Sequence, residues 1–227
     1  MSSADSPHAE GFSDRSSAAR RTIEWIVAVL LVVVGLATAG SGSLVLAFAD
    51  RDRITELVDD EVIESDIFTQ AELIDLIVNG AWWGGLGIVL GGVAIVLVGL
   101  WFGWQRYRID QLDEEGVPAS FVSTALLGAV VTVITSFIPF SALIGGGFAG
   151  YIHLDDPWGG AWVGAFAGIL LAIPTAIFLV MLVLGLVMAD FFVLTFILVV
   201  GGLFVGIFNI ALSAIGGYIG TYIRERN

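Results

Sequence analysis

The sequence predicts an all-α protein, a polytopic transmembrane helical bundle with about six membrane segments, one of them short enough to be re-entrant. Apolar residues make up 57% of the 227 residues and charged residues 14%, against about 45–50% and about 25% in soluble domains. The mean hydropathy is +0.94. Long apolar runs flanked by tryptophan or arginine recur along the chain, as they do in membrane-spanning helices.

The composition also limits the chemistry. The chain has no cysteine, no lysine and only two histidines, which excludes lysine Schiff bases, a Walker-type phosphate lysine and thiolate nucleophiles or metal ligands. A haem or zinc site could use only His8 and His153. We therefore expect no cofactor, no metal and no enzymatic activity.

The charge balance bears on habitat and partners. Nine arginines stand against 22 acidic residues, for a net charge of -13. This balance argues against nucleic acid as a partner, because nucleic acid requires a basic face. Abundant acids without lysine are typical of proteins from strong brine, where salt screens self-repulsion. We expect a halophilic archaeon; the alternative is a mesophile with a chance shortage of lysine.

The N-terminal region predicts a tail and an anchor. Residues 1–22 are polar without apolar periodicity and predict a disordered cytoplasmic tail. Residues 23–49 are apolar and reach roughly 40 Å as a helix, enough to cross a hydrocarbon core of about 30 Å. A signal peptide cleaved after Ala39 is the alternative. The apolar run continues through residues 44–48, which favours an uncleaved anchor.

Residues 50–79 form an acidic insert with ten acidic residues and two arginines. We expect two short helices here, residues 54–64 and a second one that opens with a capping box of Thr69 and Glu72. Its apolar stripe predicts one buried face, and Asn79-Gly80 predicts its C-cap. The carboxylates Asp59, Asp60, Glu61 and Glu64 suggest a cation patch, but their spacing lacks the glycine and alternation of an EF-hand loop. A solvated face is the favoured interpretation.

The second membrane segment covers residues 81–103, with Trp82-Trp83 at one end and Trp101 at the other, as in an interfacial belt. Residues 23–103 thus predict a transmembrane hairpin that carries the acidic insert. A polar linker, residues 104–118, ends in the helix-breaking Gly116-Val117-Pro118.

Residues 119–227 predict a glycine-rich module of four membrane segments. The first is 120–138. The second, 141–152, is about 18 Å long and cannot span alone, so it either re-enters as a half-helix or joins its neighbours where the bundle is thin. After a turn at 153–158, the segments 160–189 and 191–223 exceed the bilayer thickness, and a kink at Pro174, tilt or a break near residues 201–202 must absorb the excess.

Arginine predicts the orientation. With a cytoplasmic N-terminus, seven arginines flank the membrane inside and only Arg51 and Arg53 lie outside, which satisfies the positive-inside rule. Both termini are then cytoplasmic, the acidic insert is external, and the protein resides in the cell membrane.

Small residues at four-residue spacing predict close helix packing, because helices in lipid associate through backbone approach. The predicted packing residues are Gly146, Gly150, Gly160, Gly164, Gly168, Gly202, Gly206, Gly216 and Gly220.

Polar candidates for a site are few. Asn209 is the one strongly polar side chain deep in an apolar run, and an interhelical hydrogen bond is favoured over a substrate contact. His153 with Asp155 and Asp156 could form a general base, but a polar surface turn is favoured.

The C-terminal 110 or so residues resemble a known family. The resemblance is carried by ALLG at 125–128, SFIPF at 136–140, GGGFAGY at 145–151, GAWVGA at 160–165 and GGYIG at 216–220. These stretches are similar to a haloarchaeal membrane family called domain of unknown function 5518. The resemblance implies a four-segment membrane module in a halophile and no assigned activity.

Together these patterns predict a non-enzymatic structural or interaction protein, associated with itself or with another membrane protein in the lipid bilayer. The alternative is a passive channel or small-solute transporter in which residues 141–152 are re-entrant.

Overall fold

The computed structural model describes residues 10–59, 67–111, 121–136, 138–153 and 156–226. In these residues seven α-helices follow one another: α1 (Glu10–Phe48), α2 (Arg51–Asp59), α3 (Gln70–Gln111), α4 (Phe121–Ile134), α5 (Ser141–Ile152), α6 (Pro157–Met188) and α7 (Phe192–Glu225). Helices α1, α3, α6 and α7 are long and apolar enough to cross a membrane, and α4 and α5 are shorter apolar helices. The predicted helical membrane bundle of about six segments is confirmed.

Helix α1 is longer than the sequence indicates. It begins at Glu10, so residues 10–22, which we expected to be disordered, are helical. Extending an existing helix costs far less than nucleating one, and Ala18 and Ala19 favour extension. Residues 1–9 of the expected tail lie outside the described residues.

The acidic insert packs on the start of α3. The apolar side chains Ile54 and Val58 of α2 are buried against Leu73 and Ile74, as the predicted stripe requires. The capping box is confirmed, because Glu72 accepts hydrogen bonds from the Thr69 amide at 2.9 Å and from its hydroxyl at 2.8 Å. Of the suggested cation patch, Asp59 accepts a hydrogen bond from Gln70, and the other three carboxylates lie outside the described residues.

Helix α3 joins two segments that we expected to be separate. The predicted C-cap at Asn79-Gly80 is wrong, because the helix runs through it without a break. Asn79 instead donates its side-chain amide to the Asp75 carbonyl one turn earlier, at 2.9 Å. A helix that stopped here would leave backbone carbonyls unsatisfied as the chain enters lipid. At its other end α3 extends to Gln111, into the expected linker, and residues 112–120 lie outside the description.

Helices α4 and α5 form a hairpin that reaches about halfway along α6 and α7. With 14 and 12 residues, they are about 21 and 18 Å long. The first expected segment, 120–138, thus ends early, at Ile134. The start of α4 and the end of α5 meet where the Phe121 ring lies 6.0 Å from the His153 ring. The hairpin therefore starts and ends at the same end of the bundle, and its tip lies between Ile134 and Ser141.

The turn between α4 and α5 is held by backbone hydrogen bonds. The Thr135 amide donates to Val131 at 2.9 Å and the Ile138 amide to Thr135 at 2.8 Å. Phe140 adopts a left-handed conformation (φ 65°) just before α5. Such pairing is what irregular backbone requires at membrane depth.

Helices α6 and α7 are antiparallel and uninterrupted. Asp156 caps α6 by accepting the Gly159 amide at 3.0 Å, and Pro157 opens the helix. Pro174 lies inside α6. Asp190, with φ 61°, forms the reversal into α7, and α7 continues through residues 201–202, so the break we considered there does not occur.

Candidate functional site

Close backbone contacts join α5 to α7, which run parallel. A Cβ atom added at Gly146 would overlap the Ser213 carbonyl oxygen, and one at Gly150 would overlap that of Gly217. On α7, a Cβ atom added at Gly220 would likewise overlap the Gly147 carbonyl oxygen of α5. The two backbones are therefore in van der Waals contact, which only glycine permits at these positions.

Helix α6 packs on another face of α7 in the same manner. A Cβ at Gly160 would lie 2.7 Å from the Gly217 carbonyl oxygen, and one at Gly168 would lie 3.0 Å from the Ile210 Cα. Gly164 approaches the Ser213 carbonyl oxygen. Of the predicted packing glycines, seven make close backbone contacts: Gly146, Gly150, Gly160, Gly164, Gly168, Gly216 and Gly220.

Two hydroxyl groups bridge these helices. Ser213 donates to the Gly164 carbonyl of α6 at 2.7 Å, and Thr221 donates to the Gly150 carbonyl of α5 at 2.8 Å. Both side chains are about 1% exposed. Ser213 reaches across to α6 because the glycine contact brings that helix within reach of a short side chain.

The last two predicted packing glycines differ: Gly202 packs against a side chain of α6, whereas Gly206 meets nothing within the chain. Nothing lies within 4 Å of a Cβ placed on Gly206, and Gly202 meets only the flexible end of Leu179. The four-residue spacing is present here, but α6 reaches α7 at Gly202 through the Leu179 side chain and not through its backbone. The distal half of α7 (residues 192–208) instead carries exposed bulky side chains such as Val193 and Phe196, 77% and 68% exposed.

Several packing glycines escaped the sequence analysis. Gly128 and Gly145 bring α4 and α5 together, with a Cβ on Gly128 only 2.8 Å from the Gly145 carbonyl oxygen. Gly217 lies between α5 and α6 on a face of α7 adjacent to that of Gly216. Gly217 sits beside a glycine in the sequence, so a search for four-residue spacing selects one member of the pair and passes over the other.

The hairpin of α1 and α3 uses glycine at a different spacing. A Cβ on Gly35 would lie 2.8 Å from the Gly92 carbonyl oxygen, and one on Gly42 would lie 2.8 Å from that of Gly85. Gly35 and Gly42 are seven residues apart in α1, and Gly85 and Gly92 are seven residues apart in α3. A seven-residue repeat is the pattern of antiparallel coiled-coil packing, which could have been found in the sequence.

The end of the bundle where α5, α6 and α7 meet carries the predicted His153 cluster. The Arg224 guanidinium donates to the His153 carbonyl at 2.7 Å and to the Tyr151 carbonyl at 3.3 Å. Asp156 is exposed and serves as the helix cap described above. Asp155 lies outside the described residues. Arg224 and Asp156 therefore both bind helix ends here.

The polar side chains of the spanning helices bond mainly to helix backbone. Asn209 donates to the Val205 carbonyl of its own helix at 3.0 Å, so the interhelical hydrogen bond that we favoured is not found. Thr132 and Thr195 likewise bond one turn back, at 3.0 and 2.9 Å. Among the described residues, every buried side-chain nitrogen or oxygen has a hydrogen-bond partner.

Along the axis of the bundle, Asn209 lies at the level of the tip of the α4–α5 hairpin. Gly146 contacts Ser213 and Gly150 contacts Gly217, so one turn earlier the start of α5, at Ala142, lies level with Asn209. This is near the middle of α7. The side chain is thus close in depth to the tip of the α4–α5 hairpin.

A cleft of about 100 Å³ separates the N-terminal hairpin from the C-terminal module. It lies between α1, α3, α4 and α6, and every lining residue is apolar. Below it, toward the α4 N-terminus, Phe102 packs with Val27 and Leu126. Above it, a Cβ on Gly91 would lie 3.3 Å from the Pro174 carbonyl oxygen.

The fold and these contacts define a multi-pass helical membrane protein. Residues 122–223 match the model of a family of unknown function, DUF5518. This match covers α4 to α7 and confirms the family resemblance of the C-terminal module. No curated protein and no solved structure matches the chain.

Proposed function

We propose that the protein is a non-enzymatic structural or interaction component of a membrane, assembling with copies of itself or with another membrane protein. The observation that carries the proposal is the contrast between the two halves of α7. One half is enclosed by α5 and α6 through glycine contacts, whereas the distal half presents bulky apolar side chains and an open surface at Gly206.

The use of polar groups supports the same proposal. Membrane-embedded polar side chains are usually functional, yet Asn209, Thr132 and Thr195 are engaged with the backbone of their own helices. Arg224 and Asp156 bind helix ends. A rigid module with an unenclosed helix face suits lateral association better than chemistry.

Crosslinking in native membranes, followed by native mass spectrometry in detergent, tests the proposal. We expect species larger than a monomer, and Gly206→Leu should reduce them while leaving the monomer folded, because a side chain there meets nothing within the chain. Gly40→Leu, at an equally open site on α1, is the matched control. Finding only monomer in wild-type membranes would contradict the proposal.

We further propose that the protein lies in the cell membrane of a halophilic archaeon, with both termini cytoplasmic and residues 50–79 external. Among the described arginines, Arg108, Arg224 and Arg226 lie at one end of the bundle and Arg51 and Arg53 at the other, an excess in the direction that the positive-inside rule requires. Because the chain has no cysteine, single cysteines placed at Asp52 and Glu225 can be labelled uniquely. An impermeant maleimide added to intact cells should label only Asp52→Cys.

A passive channel or small-solute transporter is the second candidate. The observation in its favour is the α4–α5 hairpin, whose tip lies level with Asn209. Half-helices of this kind line pathways in known channel types. Solute flux into proteoliposomes that Asn209→Leu abolishes would support this function, whereas equal flux in protein-free vesicles would remove it.

Catalysis at His153 is the third and least supported candidate. The His153 backbone carbonyl is used by Arg224, and His153→Ala preserves that contact. Full rescue of a deletion strain by His153→Ala would eliminate this reading.

A further inference from the structure

We propose that the cleft between α1, α3, α4 and α6 is a binding site for one hydrocarbon chain of a membrane lipid. The inference does not depend on the proposed assembly. It begins from the shortness of α4, which ends at Ile134, whereas α6 continues to Met188.

The lining selects the chemistry of the occupant. Each of the four helices contributes aliphatic side chains, among them Leu30, Ile95, Val133 and Leu171. Because no lining residue has a polar side chain, a water molecule would lack the two to four partners that it needs. An apolar space of this order, about 100 Å³, stays dry and accepts apolar guests.

The position of the cleft selects the source. Its rim residues Leu30, Ile134 and Ile173 are 36%, 55% and 46% exposed, so the cleft is continuous with the lipid-facing surface of the spanning helices. The packed residues around Phe102 close it at one end, and the contact of Gly91 with Pro174 closes it at the other. An occupant therefore enters sideways, from the hydrocarbon layer.

The depth of the cleft selects the part of the lipid. Pro174 lies near the midpoint of α6, and Ile134 lies at the tip of the hairpin. The guest is therefore the middle or end of a chain, and the headgroup remains outside. A chain lodged here would fill the seam between the N-terminal hairpin and the C-terminal module and restore dispersion contacts that an empty space forfeits.

Photo-crosslinking tests this site. The full chain is placed in phosphatidylcholine nanodiscs that contain a phosphatidylcholine with a diazirine either at mid-chain or next to the glycerol, and labelled peptides are mapped by mass spectrometry. We expect the mid-chain probe to label α4 near Val133 and Ile134 more strongly than Ile207 of α7, which is 68% exposed and lies at nearly the same depth. The glycerol-proximal probe should show no such preference.

A filling variant sharpens the test. Ala94→Phe places a ring in the cleft and should lower mid-chain labelling of α4 by about tenfold. Once the ring fills the cleft, a lipid chain can no longer enter, because packed space does not admit extra volume. Val93→Phe, on the neighbouring exposed position, is the matched control and should leave labelling unchanged. Labelling that is uniform over all lipid-facing positions, that Ala94→Phe does not reduce, or that joins a second copy of the chain at the cleft would overturn the proposal. The comparison of the two probes on the wild-type protein decides the matter if Ala94→Phe fails to fold.

Discussion

The N-terminal hairpin and the C-terminal module solve the same packing problem with different glycine spacings. In the hairpin, Gly35 and Gly42 meet Gly92 and Gly85, and contacts repeat every seven residues. In the module, Gly160, Gly164 and Gly168 repeat every four residues against α7. Seven-residue repeats are typical of left-handed helix pairs, and four-residue small-residue repeats are typical of right-handed pairs.

The two regions also differ in what accompanies the glycines. In α1 the hydroxyls of Thr38 and Ser43 bond to the backbone of their own helix. In α7 the hydroxyls of Ser213 and Thr221 cross to neighbouring helices. The module thus combines close packing with interhelical hydrogen bonds. We therefore expect substitutions in the module and in the hairpin to lower the free energy of unfolding by different amounts.

The largest expected effect is that of Gly150→Leu. The new side chain would overlap the Gly217 carbonyl, and two backbones must separate to admit it. We expect a loss of about 3 kcal/mol or more in the free energy of unfolding, measured by thermal denaturation in detergent. Gly201→Leu is the control, because its Cβ meets nothing within 4 Å, and it should remain within about 0.5 kcal/mol of wild type. Equal stability of both variants would contradict the contact.

A smaller effect is expected from Gly92→Ala in the hairpin. Its Cβ would press on Gly35 and on the Ala39 backbone, at a cost of about 1–3 kcal/mol. Hydrogen exchange should rise in α1 while α5 to α7 keep their protection, with Gly80→Ala, which meets nothing, as the control. If protection is lost throughout, the hairpin and the module are a single cooperative unit.

Much of this architecture could be predicted from sequence. The long apolar runs predict α1, α3, α6 and α7, and the Thr69 capping box predicts where α3 begins. The failure at Asn79-Gly80 has a physical cause, since a C-cap pattern is a local preference, and entry into lipid overrides it. The shortness of α4 could not be predicted, because Thr135 and Ser136 are also tolerated inside membrane helices.

The packing glycines could be predicted only in part, because their contacts also depend on tertiary structure. Glycine spacing identifies a helix face that permits contact but says nothing about the partner. Gly160 and Gly206 have the same spacing in the sequence, yet Gly160 meets Gly217 and Gly206 meets nothing. Which faces are covered depends on where Pro174 and the α4–α5 hairpin direct the chain, which is a tertiary property.

A third prediction isolates the hydrogen bonds of the module. Thr221→Val keeps the volume of the side chain but removes the donor to the Gly150 carbonyl. Interhelical hydrogen bonds in membranes contribute about 0.6 kcal/mol on average and up to about 1.7, and we expect a destabilisation within this range. Thr195→Val, which removes a bond within α7 itself, is the control. If the two variants lose equal stability, the crossing of the Thr221 hydroxyl adds nothing to the module.

The smallest expected effect concerns Arg224, whose side chain binds the end of a neighbouring helix. Its guanidinium binds the His153 carbonyl at the C-terminus of α5, where the helix dipole favours a cation by about 0.3–1 kcal/mol. Arg224→Met should increase hydrogen exchange over residues 149–153 in low salt, and the difference from wild type should shrink in molar salt as charges are screened. Arg226→Met removes an equal charge that stacks on Tyr222 instead, at 4.5 Å, and should leave α5 unchanged. A salt-independent effect would show that Arg224 acts through hydrogen-bond geometry alone, and no effect would mean that the glycine contacts hold the end of α5 unaided.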